Sequence, residues 1–410
     1  MRFSPSHCAF AFLVLLSTAV LAAANSGLKP HSAITHTNIK PIKSGSNGFP
    51  PLNVTKSIAY DSILRSYIAS KEDGERQCPR IDKRVEWRQL TYDQRGKWIK
   101  ANWCLNTRPS RLVGTETALD GLRTSLLDDF SLVHIRLFYK IHHVAAFFPW
   151  HRWYIKAREH ALRDCGYDGP MPYWDWAVDA DTGDAQASSV LSNDYGVSGN
   201  GSLADGTITT GPFAYFPVSF RSNATNGSFP VYSPHYLQRS FGQATAHNTT
   251  FPMFEESFNS SSVERVFKES GNNFSTFTRL LEGLKDRSDI VGAGPHSGLH
   301  DGLGGDMASP YSANDPIFFL HHVNVDRLWW FWQNGDTTGR GLPSHSVNTS
   351  DLTSRFWAYT GNTAQLDLEP SGGPAASLFD FQSVQGLYLP NIETYKLMDP
   401  MRAPLCYTYT

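Results

Sequence analysis

Apolar positions along the chain fall into a few blocks with helical spacing, separated by long polar stretches rich in Gly, Ser, Asn and Thr. The run TYDQRGKWIKANWCL predicts a helix from Thr91 to about Leu105, with Thr91 as N-cap and Asp93 in the first turn, where a carboxylate suits the helix dipole. Helical patterning returns from about Glu116 to Lys140. Pro149 punctuates it, and a further helix is expected from His151 to about Arg163, ended by Cys165 and Gly166. Residues 180–250 read as long surface loops. Shorter helices are expected near Ser261–Lys268 and Phe274–Lys285, followed by a Gly-rich turn to His296. A last helix is expected after Asp315 and Pro316, running through Trp332. The final seventy residues carry Pro, Gly and short apolar runs, which fit irregular structure and short strands. There is no internal repeat, no heptad pattern and no convincing linker. The pattern therefore predicts several helices around a core, heavily decorated with loops.

Composition sharpens this picture. Aromatic residues make up 13 % and charged residues only 18 % of the 410, which fits an aromatic-rich core. The formal net charge of −2 gives no footing for a nucleic-acid partner. At the start of the chain, Arg2 precedes AFAFLVLLSTAVLAAA, and Ala22–Ala24 offer a small-residue cleavage site; residues 1–24 read as a secretory signal peptide. The run is too short to favour an anchor, so no membrane association is expected after cleavage. Residues 25–75 look like an N-terminal extension and 76–410 like the functional domain. Eight N-x-S/T sequons, at Asn53, Asn200, Asn223, Asn226, Asn248, Asn259, Asn273 and Asn348, fit glycosylated surface loops. With Cys8 lost in the signal, Cys78, Cys104, Cys165 and Cys406 form an even set, for which two disulfides with three possible connectivities are expected. Their spacing does not suit a zinc site.

The fifteen histidines carry the chemistry. One group is His134, His142, His143 and His151; the other is His296, His300, His321 and His322. His296 and His300, spaced i, i+4, put two imidazoles on one helix face, with His322 placed to add a third. His142 and His151 are separated by Pro149 and must come from different elements; with His134 they can converge on a second metal. Two sites of three neutral imidazoles favour copper or zinc over calcium or magnesium. No H-E-x-x-H spacing accompanies them, which disfavours a zinc protease.

The segments HHVAAFFPWHRWYIKAREHAL and NDPIFFLHHVNVDRLWW resemble the two copper-binding segments of the tyrosinase family, the type-3 copper proteins that include catechol oxidases and haemocyanins. The resemblance runs from about Cys78 to Tyr409. It implies a mainly α fold, a four-helix bundle holding a dicopper centre, with extensive loops and a few short strands. It implies one copper on His134, His142 and His151 and the other on His296, His300 and His322, with O2 as co-substrate. His143 and His321 are then expected to be packing residues. Arg152 is expected to meet a carboxylate, with Asp326 supporting the site, and MPYWDW, with Trp174, Asp175 and Trp176, to be scaffold. The implied reaction oxidises a phenolic small molecule, or a tyrosine in a peptide: an o-diphenol to an o-quinone, in some members after monophenol hydroxylation.

Departures from the family pattern bear on the activity. Many members have a Cys, bonded to the histidine, where Lys140 stands. Members strong in monophenol hydroxylation often have Asn where Ser297 stands, helping a nearby Glu to hold a water. Glu282, fourteen residues before His296, is the candidate for that Glu, with a solvated helix carboxylate as the alternative. Asp301 is a further carboxylate near the entrance, and Met307–Tyr311 is expected to line the mouth. The ending CYTYT resembles the tyrosine motif that closes the catalytic core of larger fungal tyrosinases, with Cys406 clamping it; no covering domain is expected to follow. Together these features resemble the short, secreted ascomycete class, some of whose members act in secondary-metabolite or pigment pathways. Catechol oxidase activity is expected to exceed tyrosinase activity, and a haemocyanin-like O2 carrier is the alternative.

Overall fold

Residues IFFLHHVNVDRLWWFWQ show no polar stripe, and a helix apolar all round belongs inside a core. In the computed structural model this helix, Ile317–Gln333, has every residue buried. The structure describes residues 77–112, 121–223, 225, 227–244, 249–250, 255–283, 293–336, 338–341 and 355–410, all within one compact unit spanning 58–410. The expected signal peptide, the whole of the expected extension and Asn53, Asn226, Asn248 and Asn348 lie outside the described residues.

Nine α-helices occur among the described residues: α1 (Tyr92–Thr107), α2 (Leu126–Ile141), α3 (Phe147–Asp164), α4 (Trp176–Ala180), α5 (Glu255–Phe258), α6 (Ser260–Ser270), α7 (Phe274–Glu282), α8 (Gly294–Leu303) and α9 (Ile317–Gln333). The fold is mainly helical, as expected. Helix α1 is capped as predicted: the Thr91 hydroxyl accepts from the Gln94 N–H while the Gln94 side chain accepts from the Thr91 N–H.

Two helix starts differ from expectation. Helix α2 begins at Leu126, ten residues after the predicted start, because Ser125 and Asp128 form a capping box; residues 113–120 lie outside the described set. Helix α3 begins at Phe147, four residues early. Pro149 falls in its first turn, where a backbone N–H would have no helical partner anyway, so the ring does not interrupt the helix. His151 therefore sits in the second turn rather than at the N-terminus.

Helices α2, α3, α8 and α9 carry the histidines. Behind them lies an aromatic stack in which Phe148 meets Phe277 and Trp329, both at 5.3 Å between centroids, and Phe277 meets Trp332 at 4.7 Å. Each such side chain contributes about 1.5–3 kcal/mol by leaving water, so the stack fixes α3, α7 and α9 against one another.

Strands are few and short. β1 (Asp82–Glu86) lies between β2 (Pro172–Tyr173) and the C-terminal Tyr407–Tyr409, parallel to both. The polar region read as loops contains an antiparallel hairpin, β3 (Pro217–Ser222) with β4 (Pro230–Tyr236), which the sequons and prolines around it had masked. The disulfides are Cys78–Cys406 and Cys104–Cys165. The first ties the start of the described chain to the tyrosine motif, as the resemblance implied.

Of the sequons within the described residues, Asn200 and Asn273 are exposed, and Asn223 and Asn259 are half-buried. Asn259 caps α6 and Asn273 caps α7 through side-chain acceptors, which leaves each amide nitrogen for a glycan.

Candidate metal centre

His134 projects from α2, His142 follows that helix directly, and His151 projects from α3. Their ring centroids lie 5.0–5.8 Å apart. His296 and His300 project from α8 and His322 from α9, with centroids 4.6–5.6 Å apart. The two groups abut: His151 and His322 stack at 4.3 Å with an 8° interplanar angle, and His142 faces His296 at 6.1 Å. All six predicted residues are thus brought together.

Ring orientation is set by backbone carbonyls. Nδ1 of His134 donates to Pro310 O at 2.7 Å, of His142 to Phe138 O at 3.0 Å, of His151 to Phe147 O at 2.7 Å, of His296 to Glu282 O at 3.3 Å and of His300 to Met307 O at 2.6 Å. A carbonyl only accepts, so each of these Nδ1 atoms carries the proton and each Nε2 keeps its lone pair. Nε2 of His134, His151 and His296 is buried with no hydrogen-bond partner, and Nε2 of His300 lies 3.4 Å from Nε2 of His322. Orphaned, convergent lone pairs of this kind are what a cation needs. Within each group, one donor atom per residue lies within 4.8 Å of the others. Burial, reinforced by neighbouring imidazoles, pushes His134 down to about 4 and holds His142, His151, His296 and His322 well below the ordinary histidine range. Neutral rings, ready to coordinate, are the result.

The turn bearing His142 is held without a thioether. Lys140 is exposed, while the Gln365 amide donates to His142 O at 2.8 Å and the Ala145 N–H donates to Asn362 O at 2.8 Å. His143 takes φ 56°, which aims its backbone N–H at Glu282 Oε1, 2.7 Å away.

Glu282 is not a solvated carboxylate: only 1 % of it is exposed, Oε2 has no partner, and burial raises its carboxyl well above the usual range. It reaches the site because the chain doubles back. Gly283 has φ 108°, and a Cβ there would sit 1.9 Å from Ala293 O, so the end of α7 and the start of α8 meet through a contact only glycine permits. Ser297 Oγ donates to Glu282 O at 2.6 Å, so the hydroxyl is bound to the backbone rather than to the carboxylate. The mouth is a cavity of about 120 Å³ whose lining includes His142, Glu282, Ser297, Asp301 and Met307–Pro310. Asp301 is buried there.

Asp326 acts at one remove. Arg152 Nε donates to its Oδ1 at 2.5 Å, and Tyr407, Tyr409 and Arg84 donate to Oδ2. Among the described residues no imidazole hydrogen-bonds to it; it ties α9 to α3 and to the C-terminal strand. Trp174 and Trp176 are buried scaffold, and Asp175 meets Arg327 at 3.3 Å. His321, expected as a packing residue, lies beside the second cluster as a fourth buried imidazole.

Comparisons with known proteins agree with this geometry. The common central domain of tyrosinase matches residues 124–335. The chain is 34 % identical over 356 residues to tyrosinase-like protein phomQ1′ of Diaporthe leptostromiformis, covering 85 % of this chain and 84 % of the relative. It is 29 % identical to tyrosinase P of Aspergillus terreus, covering 81 % and 93 %. It is 30 % identical to N-acetyl-6-hydroxytryptophan oxidase ivoB of Emericella nidulans, covering 80 % and 91 %. Among solved structures, a variant polyphenol oxidase from Thermothelomyces thermophila superposes with a TM-score of 0.63 at 26 % identity, covering 86 % of this chain and 93 % of that one. The chain belongs to the tyrosinase family, whose members bind copper, and is an oxidoreductase with the polyphenol-oxidase fold.

Proposed function

We propose that the protein is a secreted dicopper oxidase that uses O2 to convert o-diphenols to o-quinones. The observation that carries this is the pair of abutting three-imidazole clusters, with five rings turned by backbone carbonyls so that Nε2 faces inward. His134, His142 and His151 hold one copper, and His296, His300 and His322 the other. When bound, the copper pair supplies two-electron exchange with O2. Each diphenol gives up two electrons and two protons, so two turnovers reduce one O2 to two waters. The residues around the pair exclude water, orient the ring and accept protons. Glu282 stands at the mouth as the base that a monophenol, rather than a diphenol, would need, and Asp301 is a second carboxylate there.

Ser297 supports a bias toward diphenols, since its hydroxyl is committed to a carbonyl and does not orient a water on Glu282. A hollow of about 480 Å³ beside the mouth shares His143 and Glu282 with it. That gives room for a phenol with a sizeable substituent, including a peptide tyrosine, in a secondary-metabolite or pigment pathway; the relative named for N-acetyl-6-hydroxytryptophan acts on such a substituted aromatic. Two disulfides and the sequons support passage through the secretory route, with residues 1–24 as signal, 25–75 as extension and 76–410 as catalytic domain. No helix among the described residues is long and apolar enough to cross a membrane.

Copper analysis of the purified protein, with paired assays on a monophenol and its o-diphenol, tests the proposal. About two coppers per chain and turnover of the diphenol in clear excess are expected. Copper-free protein would overturn the ligand assignment, and two coppers with no turnover of any phenol would favour O2 carriage.

A further inference from the structure

The second cluster holds one imidazole more than a three-ligand site uses. His321 is fully buried, and neither of its ring nitrogens meets a hydrogen-bond partner. Its centroid lies 4.9 Å from both His300 and His322, and 5.2 Å from His296 with the rings stacked at 28°. Trp176 packs near it at 6.2 Å. One of its nitrogens falls within 4.8 Å of the donor atoms of His296, His300 and His322.

A neutral imidazole brings one N–H and one lone pair, and burying both unpaired is unfavourable. Were His321 only filling space, a phenyl ring would occupy the position without that loss, as Phe318 and Phe258 do close by. The first cluster has no such extra ring: His143, its neighbour in sequence, is half-buried and turned to Glu282.

We propose that His321 is a fourth metal donor of the second cluster, engaged when a single copper ion occupies the protein and released when the pair is complete. The inference rests on reading the two clusters as copper sites. Four imidazoles saturate a tetrahedral ion, whereas three leave a position open. A lone Cu(I) ion held by four nitrogens is shielded from O2 until its partner arrives, so half-loaded protein stays inert. A four-donor site also outcompetes a three-donor one, so the first ion enters the second cluster.

The test uses metal-free full-length protein and its His321→Phe variant, which keeps the ring volume and removes both nitrogens. One equivalent of Cu(I) is titrated anaerobically against a chromophoric Cu(I) chelator, and one equivalent of Co(II) serves as a visible-spectrum probe. The variant is expected to hold the first ion at least tenfold more weakly and to lose intensity in the tetrahedral cobalt bands, while a second equivalent still binds. Matching titrations and matching cobalt spectra in the two proteins would overturn the proposal. If the variant does not fold, X-ray absorption on unaltered protein carrying one copper decides: four imidazoles support the proposal and three sink it. Should unaltered protein bind no metal, the copper reading falls with it. Two ions bound normally in a variant identical to wild type would remove only the role of His321.

Discussion

At the scale of single residues, six of the imidazoles were legible because the fixed positions around them, such as D-P-x-F-F-x-x-H, are dense. Glu282 was legible only as one option, since nothing in a spacing of fourteen reveals that Gly283 and Ala293 touch. Its placement gives a directional prediction. Glu282→Gln keeps an acceptor for the His143 N–H, so diphenol turnover is expected to persist within a fewfold while any monophenol hydroxylation disappears. Ser297→Asn is expected to raise the monophenol-to-diphenol rate ratio several-fold. Paired steady-state assays read both, and an equal loss of the two activities in Glu282→Gln would make the residue purely structural. Asp129 supplies a pH effect away from the two histidine clusters. It accepts from Ser110 Oγ and the Arg111 N–H, yet burial raises it to about 6. The folded state therefore binds this proton more tightly than the unfolded chain. Stability from this group is fully present below about pH 4 and is lost as pH rises through 6, by about 3 kcal/mol at most. Urea unfolding of wild type minus Asp129→Asn should show that fall between pH 4 and 6, and a flat difference would refute it.

At the scale of elements, hydrophobic spacing located the helices well and their starts poorly. The start of helix α1 was read correctly because Thr91 announces its cap and Asp93 its first turn; the Gln94 half of the capping box came only with the structure. Helix α2 was not, because the apolar residues before Ser125 continue the spacing while the cap that ends the loop is a Ser-x-x-Asp, a weaker signal than Ser-x-x-Glu. Pro149 misled in the opposite sense: a proline reads as a break, but in a first turn it is compatible with the helix. The Ser125 cap has a measurable value. Its hydroxyl accepts from the Asp128 N–H, and Asp128 Oδ2 takes both the Ser125 N–H and Oγ–H. Ser125→Ala is expected to cost about 1–2 kcal/mol in denaturant unfolding. Copper content should not change, because His134 lies more than two turns further along α2. A loss of copper would show that the cap also sets the ligand's position.

At the scale of the whole molecule, Asp326 is the point where the first strand, α3, α9 and the C-terminal tyrosines meet. A carboxylate partner for Arg152 was foreseen, but not that it is Asp326; the convergence of Arg84, Tyr407 and Tyr409 spans more than 300 residues of sequence and has no local signature. Asp326→Asn would take the carboxylate from buried Arg152 and leave buried Arg84 only Glu159, at 3.7 Å, at about 3–5 kcal/mol. Tyr409→Phe removes one hydroxyl and should cost about 1 kcal/mol. Thermal or urea unfolding ranks them, and the reverse order would contradict the arrangement. The same convergence constrains the order of events during synthesis. A ribosome delivers His134 long before it delivers Tyr407 and Tyr409, yet the anchor of the helix bearing His322 is complete only with those two phenols in place. Residues more than 300 positions apart therefore have to meet before α9 is held as the folded protein holds it.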